Sequence, residues 1–427
     1  MNRTGIICPI TNERRKVRDP ITYVNEAKGL VNSIDLLICY IEKVDISNIN
    51  PSTFLGKGKV LQLKDVVIDL ELSLIFFDYK LSPIQQRNLE KKLMCKVIDR
   101  TGLILEIFGA RARTKEGILQ VELAALQYQK SRLVRSWTHL ERQRGGRGFL
   151  GGPGERQIES DRRQLSKKIN RIEKSLKKIT MTRSLQQQSR NKVPFPIVAI
   201  VGYTNAGKSC LFNQLTSSKV ISKDMLFATL DPTMRLKNLE NSIKIIFSDT
   251  VGFISDIPHQ LVAAFSATLE EVKNAELILH VHDASSSEKQ SQNIDVKSIL
   301  KQIGVSESTT VFEVNNKIDL IKDNNVNNIK FNKNNNKVFW LSALSGEGCE
   351  ELLKSISEFF SSTRIIKKYR ILSDQGNIIA SLYGRGKVIE RTEFGTETLI
   401  KVAIDPIESS KFEKLFISQG EGAIRID

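Results

Sequence analysis

At 427 residues the chain has room for about three domains of ordinary size. Its 64 Lys and Arg outnumber 48 Asp and Glu, and the formal charge of +16 points to a polyanionic partner, nucleic acid or an acidic membrane surface. No apolar run of about eighteen residues occurs, Met1–Asp19 is polar, and the five cysteines (Cys8, Cys39, Cys95, Cys210, Cys349) lack CxxC spacing, so the expectation is a cytoplasmic chain with reduced thiols, no zinc site and no stable membrane insertion.

Residues 1–113 read as an α/β domain. Apolar runs at Leu36–Ile41, Leu74–Phe77 and Lys96–Asp99 predict strands, and helical spacing over Lys59–Asp69 and Pro83–Leu93 lies between them, which predicts a parallel sheet. The glycines of Leu55-Gly-Lys-Gly-Lys59 read as a turn before a helix, because nothing else of a phosphate signature accompanies them.

Residues 114–192 carry two heptad seams. Leu119, Leu123, Leu126, Leu133, Trp137 and Leu140 step by 4, 3, 7, 4 and 3 residues; Ile158, Leu165, Ile169, Ile172, Leu176 and Ile179 step by 7, 4, 3, 4 and 3. This predicts an antiparallel helical hairpin whose first arm is about 45 Å long at 1.5 Å per residue. The tip, residues 145–154, has six glycines in ten residues and cannot be helical. Between Arg111 and Lys192 there are 21 Lys and Arg against 7 Asp and Glu, a net of +14 out of the chain's +16. Basic residues on a coiled coil are ordinarily a solvated face. A three-to-one imbalance on a projecting arm is instead the footprint of nucleic-acid binding. Arg142, Arg144, Arg147, Arg156, Arg162 and Arg163 are the candidate contacts. A rigid arm with a glycine-rich tip suits a structured RNA cavity better than a DNA groove, since no recognition-helix or zinc pattern is present.

Pro194 and Pro196 mark the entry to a third unit, residues 195–361. After the apolar run Phe195–Val201 comes Gly202, Tyr203, Thr204, Asn205, Ala206, Gly207, Lys208, Ser209, a GxxxxGKS phosphate loop without mismatch. Glycines there let backbone N–H groups wrap the phosphates, Lys208 reaches the β and γ phosphates, and the Ser209 hydroxyl suits Mg²⁺. Asp249, Thr250, Val251 and Gly252 follow the run Ile243–Phe247; the carboxylate holds Mg²⁺ through water, and the glycine N–H approaches the γ-phosphate. Asn316, Lys317, Ile318 and Asp319 follow Thr309–Val314. The Asp319 carboxylate can accept from both N1–H and the 2-amino group of guanine, a pair of donors that adenine lacks. Ser342, Ala343 and Leu344 follow Val338–Leu341 and offer a backbone N–H to guanine O6. Four motifs in order, each at the C-terminal end of a predicted strand, predict a P-loop domain with a mostly parallel sheet that binds GTP and GDP with Mg²⁺. The Asn- and Lys-rich Lys322–Lys337 stretch reads as a solvated loop, His259 and Arg235 as surface residues, and His280 and His282 as core or edge histidines. Residues 362–427 read as a small α+β domain, with strand-like Val388–Phe394 and Glu397–Ala403, helix-like Ser409–Phe416, and no chemistry of their own.

Taken together, the phosphate loop, Phe227-Ala-Thr-Leu-Asp-Pro-Thr233, Asp249-Thr-Val-Gly-Phe253 and the tip continuing into Gly152-Pro-Gly-Glu-Arg-Gln-Ile-Glu-Ser-Asp-Arg-Arg163 resemble the HflX family of translation-factor-related GTPases over nearly the whole chain. The resemblance implies binding to the large ribosomal subunit, a tip reaching toward the peptidyl transferase centre, and GTP-controlled splitting or rescue of idle or stalled ribosomes by a monomer. It adds Phe227, Ala228, Thr229, Leu230 and Asp231 to the nucleotide contacts, with Thr229 as the switch threonine on Mg²⁺, so that Lys208, Thr229 and Gly252 are the expected catalytic set. Phe253 stands where many GTPases place a water-orienting Gln, and a phenyl ring cannot hydrogen-bond the attacking water, so hydrolysis is expected to need a partner. Phe149, Leu150, Arg156 and Met234 depart from the family pattern. An RNA-remodelling or RNA-chaperone protein, with the nucleotide mainly structural, is the alternative. A metabolite kinase and a membrane-surface GTPase fit less well, the first for its base-reading motif and the second for want of an apolar helix face.

Overall fold

The computed structural model describes residues 3–141, 153–190, 195–218, 226–227, 229, 233–239, 243–255, 266–321, 337–362, 365–404, 406–417 and 423–426. Its first sheet is built from β1 (Arg3–Thr11), β2 (Leu37–Ile46), β3 (Leu74–Phe77) and β4 (Lys96–Asp99) in the order β2-β1-β3-β4, all parallel. The sequence reading did not find β1. Pro9 interrupts its apolar run, yet eight of its nine residues are buried, because the strand sits between β2 and β3.

Helices cover both faces of this sheet, as a parallel sheet requires. After the short α1 (Asn12–Val17), α2 (Pro20–Asn32) starts at the Asp19 cap, whose side chain accepts from Ile21 N–H. Helix α3 (Lys57–Asp69) follows the Gly56 cap, and α4 (Pro83–Leu93) begins with a capping box between Ser82 and Gln85. Helix α5 (Arg100–Arg111) is capped by Asp99. Val60, Leu63, Leu89 and Leu93 from α3 and α4 pack on Ile7, Ile75 and Phe77. On the other face, Ala27, Leu30 and Val31 of α2 and Leu103, Ile104 and Phe108 of α5 pack on Ile6, Cys8 and Phe76.

Two long helices follow, α6 (Lys115–Glu141) and α7 (Pro153–Arg190), of 27 and 38 residues. They meet along Leu126, Ile169 and Ile172, flanked by half-buried Leu119, Leu123, Leu165 and Leu176, all of them positions of the heptad seams.

A six-stranded sheet comes next, with β5 (Ile197–Gly202), β6 (Thr233–Asn238), β7 (Lys244–Asp249), β8 (Leu277–Asp283), β9 (Thr310–Asn316) and β10 (Val338–Trp340) in the order β10-β9-β8-β5-β7-β6. It is parallel except for β6, which runs antiparallel to β7. The edge strand β6 leaves Arg235, Leu236 and Asn238 exposed, so its sequence lacks the apolar signature that betrays the other strands. Helix α8 (Lys208–Thr216) leaves the phosphate loop and buries Leu211, Phe212 and Leu215 against one face together with Leu352, Ile356 and Phe360 of the helix Cys349–Ser362. The other face, carrying Ala199, Val201 and Ile278, shares one continuous core with α2 and α5. The last unit is an antiparallel sheet of β11 (Ile365–Leu372), β12 (Gly386–Phe394), β13 (Glu397–Ile404) and β14 (Ala423–Ile426), ordered β12-β13-β11-β14, with the helices Gly376–Arg385 and Pro406–Phe412 against it.

Candidate nucleotide site

The strand ends dictate where the site lies. Strands β5, β7, β8 and β9 all point their C-terminal ends at one edge of the sheet, where a cavity of about 360 Å³ opens. It is lined by the phosphate loop, by Thr229 and Gly252, and by Asn316, Lys317 and Asp319. Gly207 has a left-handed φ of 88°, and a Cβ there would stand 2.2 Å from Asn316 Nδ2, so only glycine fits. That contact is the hinge of the cavity. Asn316 Nδ2 donates to Ala206 O at 2.9 Å while its Oδ1 accepts from Ala343 N–H at 2.9 Å, so one side chain ties the phosphate loop to the base-reading loop.

At the phosphate end, Lys208 is buried and donates to Tyr203 O at 2.8 Å. Burial pulls its pKa down to about 8, against the pull of Asp249 and with a smaller push from Lys317. The Thr204 hydroxyl, on the cavity wall, is buried without a hydrogen-bond partner among the described residues. Beside them three oxygens converge: Ser209 Oγ lies 2.7 Å from Asp249 Oδ2 and 2.8 Å from Thr229 Oγ1, and Thr229 Oγ1 lies 3.1 Å from the same carboxylate oxygen. Burial pushes the Asp249 carboxyl up, countered in part by Ser209 and Lys208, and its Oδ1 has no hydrogen-bond partner among the described residues. Two hydroxyls and a carboxylate with a free oxygen are the hard donors that Mg²⁺ takes alongside phosphate oxygens. Among the described residues no cluster of three His, Cys, Asp or Glu forms a metal cage.

The segment after β7 is fastened to the phosphate loop. Thr250 Oγ1 donates to Ile200 O at 2.7 Å, Thr204 N–H to Phe253 O at 2.7 Å, and Phe253 N–H to Gly202 O at 3.1 Å. A Cβ on Gly252 would stand 2.9 Å from Lys208 Nζ and 2.9 Å from Thr204 Cα. The Phe253 ring is buried in the core rather than aimed into the cavity.

At the base end, Asp319 is exposed on the cavity wall and accepts from Ser342 Oγ at 2.5 Å. Lys317 adopts a left-handed φ of 66° and pairs with Asp283 at the end of β8, 2.8 Å away. Leu344 and Leu320 are exposed at the rim, both lining the cavity.

Of the residues read from sequence, Thr204, Asn205, Gly207, Lys208, Ser209, Phe227, Thr229, Thr250, Gly252, Asn316, Lys317, Asp319, Ala343 and Leu344 line the cavity. Gly202, Ala206, Asp249, Val251, Ile318 and Ser342 are buried behind that wall, and Tyr203 turns its ring toward α2. Cys210 and Leu320 line the cavity without having been singled out; each is the next residue after a motif, which was the available signal. Ala228, Leu230 and Asp231 lie outside the described residues, as do His259, Arg142, Arg144, Arg147, Phe149, Leu150 and the Arg156 side chain. Arg162 and Arg163 are exposed on α7. No helix among the described residues is long and apolar enough to cross a membrane.

Residues 22–109 match the family model described as GTP-binding GTPase N-terminal, residues 111–190 the GTP-binding GTPase Middle Region, and residues 197–317 the 50S ribosome-binding GTPase. The chain is 45% identical over 395 residues to the GTPase HflX of Magnetococcus marinus, covering 92% of this chain and 89% of that one. To the GTPase HflX of Escherichia coli it is 45% identical over 334 residues, 78% of each chain. A solved structure of a GTP-binding protein from Sulfolobus solfataricus in complex with GDP is similar at 27% identity, covering 85% of this chain and 99% of that one, with a TM-score of 0.46.

Proposed function

The chain belongs to the HflX family of GTPases and hydrolyses GTP, and from that premise we propose that it uses a GTP switch to split or rescue ribosomes on the large subunit. The observation that carries this reading is one cavity lined by residues of all four nucleotide motifs, in a chain whose helical arm region holds +14 of the net +16 charge. The arm binds rRNA phosphates, with Arg162 and Arg163 among the exposed contacts and the tip directed toward the peptidyl transferase centre. In this reading the protein acts as a monomer on ribosomes in the cytoplasm.

In the reading we favour, Asp319 accepts from guanine N1–H and the 2-amino group, while Asn316 holds the two loops at the spacing the base needs. Thr204, Asn205 and the Gly207–Ser209 backbone wrap the phosphates, and Lys208 leaves Tyr203 O for the phosphate oxygens. Ser209, Thr229 and, through water, Asp249 would hold Mg²⁺, which when bound neutralises charge on the β and γ phosphates. Thr229 and the Gly252 N–H close on the γ-phosphate, and this closed state engages the arm with rRNA. Water then attacks the γ-phosphorus in line, the bond to the bridging oxygen breaks, and GDP and phosphate leave. Phe253 offers that water no hydrogen bond, so the ribosome supplies the missing stimulation.

GTP turnover measured with and without large subunits tests the proposal. We expect turnover to rise at least about tenfold with subunits and to vanish in Lys208→Ala. Turnover indifferent to subunits sinks it, and ribosome rescue that persists in Lys208→Ala favours the RNA-remodelling alternative.

A further inference from the structure

Helices α2 and α5 of the first domain lie against the segments that flank the nucleotide. On the Thr229 side, the Phe227 ring, which lines the cavity, meets the Phe108 ring of α5 edge-on at 4.7 Å. Its neighbour Leu226 has its carbonyl held by Ser33 Oγ at 3.2 Å and its side chain against Gly29 of α2, where an added Cβ would stand 2.9 Å from Leu226 Cδ1.

On the Gly252 side the contact is ionic and buried. Ser255, three residues past Gly252, has every polar group of its peptide and side chain engaged. Its N–H donates to Tyr203 Oη at 2.9 Å, and its carbonyl and hydroxyl both accept from Arg100 Nη2 at 3.1 Å. Ser255 Oγ in turn donates to Glu26 Oε1 at 3.0 Å. Arg100 is also paired with Glu26 and with Asp78, the latter at 2.6 Å, and Tyr203 donates to Glu26 Oε2 at 2.6 Å. Burial pushes the Glu26 carboxyl up, but Arg100, Tyr203 and Arg18 more than offset it and keep it below the usual range. A cluster of this kind tolerates little displacement, because moving one member strands a buried charge.

The chain neighbour of Arg100 has a different task. Asp99, fully buried at the end of β4, accepts from Tyr128 Oη at 2.5 Å and from Arg132 Nη2 at 2.7 Å, and both partners belong to α6, the root of the arm. The same carboxylate caps α5 through Gly102 N–H at 2.8 Å, and the Arg132 guanidinium stacks over the Tyr128 ring at 4.2 Å. Two consecutive residues at one strand–helix junction therefore hold Ser255, in the segment after Gly252, and the root of the arm.

We propose that Arg100 is a positioning residue for GTP hydrolysis: it fixes the backbone that follows Gly252 and, through Asp99, couples the state of that backbone to the arm root at Tyr128 and Arg132. The proposal rests on the reading of the Gly252 segment as the γ-phosphate switch. It makes the first domain the reader, within one chain, of the segments around Thr229 and after Gly252.

Full-length protein, bound to GDP or to a non-hydrolysable GTP analogue, is compared by hydrogen–deuterium exchange over residues 126–133, alongside steady-state turnover. Wild type is expected to exchange differently in the two states. Arg100→Lys, which keeps the charge but loses the fork that grips Ser255 and two carboxylates, is expected to lower kcat about tenfold with KM changed less than about twofold, and to lose the exchange difference. Asp99→Asn is expected to keep wild-type kcat while losing the difference, a split that a merely structural role does not produce. Tyr203→Phe, which removes one hydroxyl, replaces Arg100→Lys should that variant fail to bind GDP, with the same two outcomes expected. Wild-type kcat in Arg100→Lys or Tyr203→Phe, or a full exchange difference in Asp99→Asn, overturns the proposal. A wild type without any exchange difference overturns it too, and leaves the turnover test of the GTPase reading untouched.

Discussion

Lys208 is held in a buried setting that lowers its pKa to about 8, with Tyr203 O as its hydrogen-bond partner. Phosphate oxygens stabilise the ammonium, so nucleotide binding should take up about half a proton per site at pH 8. Titration calorimetry in buffers of different ionisation enthalpy reads this directly, and zero uptake contradicts the Lys208 assignment. A second titration acts on stability. His280 and His282 face the core from β8 with ring centroids 4.0 Å apart, among Lys289, Lys297 and Glu313. Burial lowers both, His282 to about 4 from an ordinary 6.5. The unfolded chain therefore binds more protons between those values; stability is full above 6.5 and falls as the pH drops toward 4. His282 alone should cost about 2 kcal/mol at pH 5 relative to pH 7, and His282→Gln should flatten the pH dependence of the melting temperature. At this scale the lining of the cavity was legible, because a site for phosphate and guanine demands particular atoms at fixed spacing, and the residues at that spacing meet around one cavity. The role of Tyr203 was not: it sits inside the phosphate loop, yet its ring turns away from the cavity, and its hydroxyl donates to Glu26 and accepts from Arg18.

The arm is the element on which the ribosomal reading depends, and its seam is apolar in a surface otherwise strongly basic. Ile169, Ile172 and Leu126 are nearly buried where α6 and α7 meet. Ile169→Ala should cost about 3 kcal/mol locally, seen as faster cleavage of α7 by a Lys- and Arg-specific protease while GDP affinity holds. Unchanged cleavage means the seam does not hold the arm together. Reversing exposed charges on α7 at Lys167, Lys168 and Arg171 should weaken subunit binding and flatten its salt dependence. Heptad spacing made this element easy to read. The strand β6 and the first strand β1 escaped for opposite reasons: β6 is an exposed edge with polar residues outward, whereas β1 is central but broken by Pro9. Strand β11 and the helix Gly376–Arg385 also went unread, since their apolar sides face only a small sheet and are separated by charged residues.

For the whole molecule, the sequence pointed to four units, 1–113, 114–192, 195–361 and 362–427, but not to how they touch. Contacts between α2, α5 and the two switches join residues more than a hundred positions apart, and no local pattern encodes such a meeting. These contacts turn a basic arm and a nucleotide pocket into one device in which the state of the pocket is felt at the arm root. In the proposed function it is GTP, rather than nucleotide in general, that puts the arm to work. Light scattering of intact ribosomes mixed with the protein tests it most directly. Separation into subunits should proceed with GTP or a non-hydrolysable analogue, be at least about tenfold slower with GDP, and be absent for Lys208→Ala. Equal separation with GDP, or separation by Lys208→Ala, would contradict the account.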